Sequence, residues 1–284
     1  MSTRPYDMAV FDLDGTLLHK GKLSSRTVSA LKAARDAGCI LAVCTGRCLG
    51  MLGQPVKSHG LFSWFICSNG SVTLDSSLGI QAQNSLSQQA VCQALDSVAS
   101  IPHLCGCFVN GKPYFDSKII TRWLRLPHGE KSSSFSWMAL KMFLKHQRIH
   151  DCESFLRRQY QGVEKFEVSP LDATAIPMAM TILKQQRGIE PVVSGSNIEI
   201  TPKGVSQGKA LELLIAQLGI PSSRVIAFGD SGNDLSLSGV AGHLCSPSTG
   251  SNDIKEAADE LILPPESDGV AQYLEKAFGF TEGK

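Results

Sequence analysis

Four runs of consecutive apolar residues, each ending abruptly in small polar residues, constrain the fold of this 284-residue chain more than any other feature. Continuous rather than alternating apolarity is typical of parallel strands that are covered on both faces of a sheet. The carboxyl ends of such strands meet at one edge, where open α/β sheets bind their ligands. We therefore expect the polar residues after the four runs to converge on one site. The runs are residues 8–11, 40–44, 64–67 and 225–228.

The alternation of buried strands and helices is interrupted in the middle of the chain. Residues 24–38 have the N-terminal serine and C-terminal glycine of a capped helix, and they complete a strand–helix–strand unit. We predict an α/β protein whose parallel-sheet core is split into 1–83 and 201–284 by an inserted α+β cap domain at 84–200. The later segments behind this prediction are a helical stretch at 85–99, a hairpin at 107–115 turning at Asn110-Gly111, basic helical stretches up to 165, a hairpin at 191–200 and a capped helix at 206–218.

Composition narrows the class of partner. Lys plus Arg number 27 and Asp plus Glu 26, a net charge of +1, so no overall field draws the chain to nucleic acid or an anionic membrane. We expect a small-molecule ligand and a monomer or weak homodimer. A secretory signal and an apolar stretch of membrane-spanning length are both missing, so we expect a cytoplasmic protein.

The cysteines also favour a cytoplasmic location, and one cysteine pair and one histidine pair have to be considered as metal ligands. Nine cysteines, an odd number without CxxC pairs, favour a reducing environment. Cys105 with Cys107, and His146 with His150, have spacings that could offer two metal ligands each. Neither pair has a complete ligand set beside it, so we interpret both as core or surface residues.

Carboxylates dominate two of the polar segments. Asp12 and Asp14 follow the first run and can divide the work of covalent catalysis, one as nucleophile and the other as general acid and base, although an Asp-rich turn is the simpler interpretation. The fourth run leads into Gly229-Asp230-Ser231-Gly232-Asn233-Asp234, whose oxygen ligands suit Mg²⁺. A cation shared by Asp12 and Asp230 would let an anionic nucleophile approach an anionic substrate. The two segments together therefore predict a Mg²⁺-dependent phosphate-ester site.

The motifs in these segments resemble the signatures of the haloacid dehalogenase superfamily. They are Asp12-Leu13-Asp14-Gly15-Thr16, Thr45-Gly46-Arg47 and Gly229-Asp230 with Asn233-Asp234. Within it the chain resembles the Cof-type phosphatases, which carry a large α/β cap, an Asn-Gly step such as Asn69-Gly70 before the cap, and a segment like Asp268-Gly269-Val270 near the end.

The resemblance implies a role for each matched residue. Asp12 would be the nucleophile, and Asp14 the general acid and base whose backbone carbonyl also faces the metal. Thr45 and the adjacent Gly46 would bind the phosphoryl group. Asp230 would bind Mg²⁺ directly, with Asn233 and Asp234 holding the metal, its waters or the loop. Arg47 would contact phosphate or cap, or would simply begin a helix.

One position departs from the family pattern. Members usually have lysine where this chain has Gln207, directly before Gly208. A glutamine donates a hydrogen bond to phosphate but brings no positive charge, a loss that can cost orders of magnitude in rate. Lys209 and Lys203 are the candidate substitutes, although Lys209 lies about 200° around a regular helix from Gln207.

The sequence supports three alternative hypotheses for the function of the protein. The leading hypothesis is hydrolysis of a small phosphomonoester, with a sugar phosphate as the first choice, through an aspartyl-phosphate on Asp12. A phosphomutase of the same cap class would return the phosphoryl group to sugar. A phosphate-ligand sensor, a weakened enzyme, is motivated by Gln207 alone.

Overall fold

The computed structural model describes residues 4–57, 59–117, 147–159 and 161–280. The strands are β1 (Met8–Phe11), β2 (Ile40–Cys44), β3 (Trp64–Cys67), β4 (Val72–Asp75), β5 (Ile80–Gln83), β6 (His103–Val109), β7 (Lys112–Asp116), β8 (Gln147–Ile149), β9 (Val163–Pro170), β10 (Ile189–Ser194), β11 (Asn197–Pro202), β12 (Val225–Phe228), β13 (His243–Pro247) and β14 (Glu260–Ile262). The α-helices are α1 (Ser25–Asp36), α2 (Gln54–Lys57), α3 (Gln88–Ser97), α4 (Cys152–Arg157), α5 (Ile176–Lys184), α6 (Gln207–Leu218), α7 (Asn252–Ala257) and α8 (Gly269–Phe278).

The described residues belong to two compact units. The first comprises the described parts of Met1–Arg47, Leu52–Gln83 and Val205–Lys284, and the second comprises Cys48–Met51 with the described parts of Asn84–Gly204. Residues 48–51 belong with the second unit because the Gly50 N–H donates to Gly111 O at 2.7 Å and Cys48 is buried beside Phe108 and Phe115.

The first unit is an eight-stranded sheet in the order β14-β13-β12-β1-β2-β3-β4-β5. Neighbours from β14 to β3 pair in parallel, and β4 and β5 extend the sheet with antiparallel pairing. All four residues of β1 and of β12 are buried, as continuous apolarity predicts for strands covered on both faces. The four apolar runs are thus adjacent parallel strands, and the segments that follow them lie side by side at one edge.

Helix boundaries in this unit follow capping chemistry. The Ser24 hydroxyl accepts from the Thr27 N–H at the start of α1, and the Ser206 hydroxyl accepts from the Lys209 N–H at the start of α6. Helix α6 ends at Gly219, which has a left-handed backbone with φ of 67°. The expected capped helices at 24–38 and 206–218 are confirmed.

The second unit contains a six-stranded sheet in the order β10-β11-β9-β6-β7-β8. Every pairing is antiparallel except that of β7 with β8. Its core packs one face of the sheet against α3, α4 and α5, with Phe166, Val91 and Leu183 completely buried. The α/β class with a parallel-sheet core and an α+β insertion is therefore confirmed.

One secondary-structure expectation in the second unit was wrong. The basic stretch was expected to be helical up to 165; its residues 118–146 lie outside the described residues, and in the described part α4 ends at Arg157 and β9 begins at Val163. Lys165 is buried within β9, where its Nζ binds Glu199 Oε1 at 2.7 Å and Glu167 Oε1 at 3.2 Å. Ion pairs within the sheet stabilise the buried charge of Lys165. In the sequence, the same basic residue suggests the solvent-exposed face of a helix.

Two further expectations concern membranes and metal pairs. No helix among the described ranges has the length and apolarity needed to cross a membrane. Cys105 and Cys107 are buried in β6, and His146 lies outside the described residues.

Candidate active site

Three carboxylates meet at the carboxyl edge of the first unit's sheet. Asp12 follows β1, Asp230 follows β12, and Asp234 begins the next 3₁₀ turn. One oxygen from each lies within 4.8 Å of the other two. Asp12 and Asp234 are buried, whereas Asp230 is partly exposed. The parallel sheet therefore joins two acidic motifs that are more than 200 residues apart in the sequence.

Close packing between the two acidic loops fixes this arrangement. Gly15 has φ of 85°, and a Cβ atom at this position would overlap the Asp230 carboxylate. The Thr16 hydroxyl donates to Asp230 Oδ1 at 3.2 Å. Asp234 Oδ2 accepts from the backbone N–H groups of Asp230 at 3.0 Å and of Ser231 at 3.1 Å. Glycine at position 15 and a carboxylate at 234 are thus geometric requirements of the loops.

Burial and mutual repulsion oppose ionisation of all three groups together. Burial, followed by repulsion from Asp234, Asp230 and Asp14, raises the pKa of Asp12 well above its usual range. Burial is also the main cause that raises the pKa of Asp230 to about 6 and that of Asp234 to about 7. A cation bound among these oxygens would instead favour the ionised form of the carboxyl groups.

The donor set fits a hard divalent cation. All three side chains offer carboxylate oxygens, the ligands that Mg²⁺ and similar ions prefer. Asp234 Oδ1 is buried and has no hydrogen-bond partner among the described residues. An unpaired buried carboxylate oxygen is unfavourable unless a cation, a water or a substrate group satisfies it. The cluster is therefore a candidate metal centre.

Asp14 lies at the edge of this cluster with a partner of its own. The Arg47 guanidinium group binds its carboxylate with two nitrogens, Nε donating to Oδ2 at 2.6 Å and Nη2 donating to Oδ1. Asp14 is exposed and Arg47 is partly buried. The structure thus places Arg47, predicted as a phosphate contact or helix start, on the predicted general acid.

The loop after β2 brings two further predicted residues to the same edge. Thr45 is buried, its backbone N–H donates to Ile66 O at 2.9 Å, and its hydroxyl accepts from the Arg47 N–H at 3.3 Å. Gly46 lies between Thr45 and Arg47 and is partly exposed. These two residues stay predicted phosphate contacts.

Gln207, at the first position of α6, is completely buried. Its amide approaches Asp234 closely enough to lower the pKa of that carboxyl, yet neither of its polar atoms makes a well-formed hydrogen bond within the described structure. The adjacent Gly208 N–H donates to Ser236 Oγ at 3.0 Å, which docks the start of α6 on the acidic loop. A buried amide with unused hydrogen-bonding capacity stands where the family pattern has lysine.

The two candidate substitute lysines have other partners. Lys209 is exposed, and its Nζ binds Glu212 Oε2 at 2.7 Å on the outer face of α6. Lys203 Nζ binds Glu190 Oε2 at 2.7 Å within the second unit. The structure therefore does not bring Lys209 to the carboxylates. The reason is the rotation of about 200° around the helix between positions 207 and 209.

Asn233 holds the acidic loop through both ends of its amide. Its Oδ1 accepts from the Ser231 hydroxyl, and its Nδ2 donates to Asn69 Oδ1 at 3.5 Å. Sequence reasoning assigned no role to Ser231 or to the side chain of Asn69. The polar segment Ser68-Asn69-Gly70, directly after the third apolar run, is the sequence feature that could have indicated a contact with the acidic loop.

Comparisons with known proteins agree with this geometry. The family described as haloacid dehalogenase-like hydrolase matches residues 9–274. The chain is similar to a 5-amino-6-(5-phospho-D-ribitylamino)uracil phosphatase of Bacillus subtilis, with 25% identity over 93% of this chain and 96% of the relative. It is also similar to a pyridoxal phosphate phosphatase of Escherichia coli, with 25% identity over 96% of this chain and 98% of the relative.

Solved structures show the same fold. A haloacid dehalogenase-like hydrolase from B. subtilis superposes with a TM-score of 0.81 at 21% identity, over 95% of this chain and 99% of that one. The resemblance recognised in the motifs is confirmed by a family match that includes both acidic loops. The chain belongs to the haloacid dehalogenase-like hydrolases.

Proposed function

We propose that this protein hydrolyses the phosphate monoester of a small metabolite, a sugar phosphate being the first substrate to test, with Mg²⁺ and with Asp12 as nucleophile. The observation that carries the proposal is the cluster of Asp12, Asp230 and Asp234, with one oxygen of each within 4.8 Å of the others. The names of the relatives, phosphatases acting on phosphorylated ribitylaminouracil and pyridoxal, support a small phosphate ester.

The reaction has two displacements at phosphorus. A carboxylate oxygen of Asp12 forms a bond to phosphorus while the ester P–O bond breaks, and Asp14 gives its proton to the departing alkoxide oxygen. Asp14 then removes a proton from water as that water's oxygen bonds to phosphorus. The bond to Asp12 breaks, inorganic phosphate leaves, and both carboxyl groups return to their starting states.

Asp12, Asp230 and Asp234 would hold the metal ion, with Asn233 fixing the loop. The ion supplies positive charge that keeps Asp12 ionised and offsets its repulsion from an anionic phosphate. Without it, burial and the neighbouring carboxylates favour the protonated form of Asp12, which is a poor nucleophile.

Four neighbouring residues complete the proposed site. Arg47 holds the ionised form of Asp14 through the two-nitrogen ion pair, and this is the form that removes a proton from water in the second displacement. The Thr45 hydroxyl, with the Gly46 backbone, contacts a phosphoryl oxygen. The unpaired amide of Gln207 donates a hydrogen bond to the phosphoryl group in place of the family lysine's charge.

A reducing cytoplasmic setting suits this proposal. All nine cysteines are free thiols, and eight of them are buried. Buried thiols are inert while the fold is intact.

Release of inorganic phosphate tests the function. The purified protein is incubated with sugar phosphates, pyridoxal phosphate, nucleotides and an aryl phosphate, in Mg²⁺ or in chelator. We expect metal-dependent turnover, fastest on one class of small ester. Magnesium binding without turnover on any ester would contradict hydrolysis and favour the sensor hypothesis that Gln207 motivates.

A further inference from the structure

Three consecutive residues after β3 have positive φ angles. The angle is 51° at Ser68, 55° at Asn69 and 94° at Gly70, and all three residues are buried. Two adjacent non-glycine residues in this region are unusual, since L-residues are strained there. Such strain persists only where surrounding contacts enforce it, and it concentrates at functional sites.

Backbone contacts enforce the turn on both sides. The Ser68 N–H donates to Arg47 O at 2.9 Å, and the Asn69 N–H donates to Thr45 O at 3.2 Å. On the other side, a Cβ atom at Gly70 would overlap the Ser206 carbonyl at the start of α6. The turn therefore touches the Thr45 loop and the start of the helix that carries Gln207.

The side chain of Asn69 reaches the third segment of the site. Its Oδ1 accepts from Asn233 Nδ2 at 3.5 Å, while the other end of the Asn233 amide accepts from the Ser231 hydroxyl. Both ends of the Asn233 amide are thereby specified. Asparagine tolerates a left-handed backbone, but glycine adopts it with less strain, so backbone shape alone gives no reason for asparagine here.

We propose that Asn69 is a positioning residue that fixes the amide of Asn233 and thereby holds the Asp230 and Asp234 carboxylates in the arrangement that binds Mg²⁺. This inference rests on the proposed metal-dependent function. Residues that orient a metal-binding group through hydrogen bonds affect metal affinity without touching the ion. Asn69 would link the Thr45 loop to the acidic loop through its backbone N–H and its side-chain oxygen.

Replacing Asn69 with glycine separates this role from a structural one. Asn69→Gly relieves the backbone strain and deletes the amide, so its Tm in chelator should equal or exceed that of the wild type. The Kd for Mg²⁺, measured by calorimetry, should rise by about 10- to 100-fold. An unchanged Kd, or a fall in Tm that accompanies weaker binding, would overturn the proposal.

Asn110→Gly is the matched control. Asn110 has φ of 49° and also precedes a glycine, in the hairpin between β6 and β7. The same substitution there should leave the Kd for Mg²⁺ unchanged. In an Asn233→Ala background, Asn69→Gly should produce no further rise in Kd, and an additive effect would also overturn the proposal. Phosphate release by the wild type is measured in parallel, so that failure of the proposed function is distinguished from failure of this inference.

Discussion

The Arg47 guanidinium group binds the Asp14 carboxylate with two nitrogens, and its Nε lies 2.6 Å from Asp14 Oδ2. The pair joins the loop after β2 to the loop after β1, and parallel pairing of these strands places the two loops side by side. A planar guanidinium fixes a carboxylate in direction as well as position, which a lysine would not do. We assign to this pair the orientation of ionised Asp14, the proposed general base of the second displacement.

Arg47→Gln should therefore slow breakdown of the aspartyl-phosphate. General base catalysis contributes about 10²- to 10⁴-fold, and loss of the orientation of the base should slow the attack of water by about 10- to 100-fold. Every ester forms the same intermediate, and its breakdown limits turnover when the leaving group is good, so kcat on an aryl phosphate should fall. Arg35→Gln, which removes a surface pair with Asp36, is the control. An unchanged kcat on the aryl phosphate would argue against this role.

Gln207 offers two substitutions with opposite expectations. Gln207→Lys restores a positive charge beside the carboxylates and should raise kcat/KM by at least about tenfold. Gln207→Met keeps the length of the side chain and removes two unpaired buried polar atoms, so the free energy of unfolding should rise by about 1–3 kcal/mol while activity falls. Phosphate release and urea unfolding check both. Lower activity in Gln207→Lys would show that this site does not lack charge.

Stability without metal should fall as pH rises. The folded pKa is about 6 for Asp230 and about 7 for Asp234, both above the usual value of 3.8, so the folded state binds protons more tightly than the unfolded state. The free energy of unfolding should then fall by up to about 1.4 kcal/mol per pH unit for each group, between about pH 4 and 6 for Asp230 and between about pH 4 and 7 for Asp234.

Urea unfolding in chelator at several pH values measures this dependence, and Asp234→Asn should reduce its slope. Magnesium should stabilise the wild type more at pH 7.5 than at pH 5, because the ionised carboxylates bind it. A different result would contradict the raised pKa values of Asp230 and Asp234. That result is a free energy of unfolding in chelator that rises with pH in the wild type relative to Asp234→Asn.

Gly15→Ala should remove the metal site. A Cβ atom here would overlap the Asp230 carboxylate, on a backbone with φ of 85°. We expect loss of thermal stabilisation by Mg²⁺ and a fall in activity of about 10- to 100-fold. Gly21→Ala is the control, since Gly21 has φ of 75° but no atom within 4 Å of the added Cβ. If Gly21→Ala lost magnesium binding to the same extent, backbone strain would be the cause.

Much of the first unit was predictable from its sequence. Strands β1, β2, β3 and β12 were identified because both faces of a buried parallel strand must be apolar, and their shared edge followed from parallel pairing. Asp12 and Asp230 came from that argument, and the structure brings them together with Asp234. The family resemblance is confirmed independently by the match over residues 9–274.

Contacts that depend on three-dimensional detail were not predictable. Arg47 lies on Asp14 because of strand order and side-chain direction, which no local pattern encodes. In the sequence Lys165 resembles a surface residue, and only the fold shows that it is buried in β9 and paired with Glu199 of the neighbouring strand. The left-handed turn at Ser68 and Asn69 carries non-glycine residues, so composition did not indicate it.

Phosphate release by the wild type and by Asp12→Asn, each in Mg²⁺ and in chelator, tests the central claim most directly. Asparagine keeps the size of the side chain but removes the nucleophilic carboxylate. The account predicts turnover in the wild type only with Mg²⁺, and a loss of at least about 10³-fold in Asp12→Asn. Turnover by Asp12→Asn within tenfold of the wild type would contradict it, because phosphorus would then be attacked by another group.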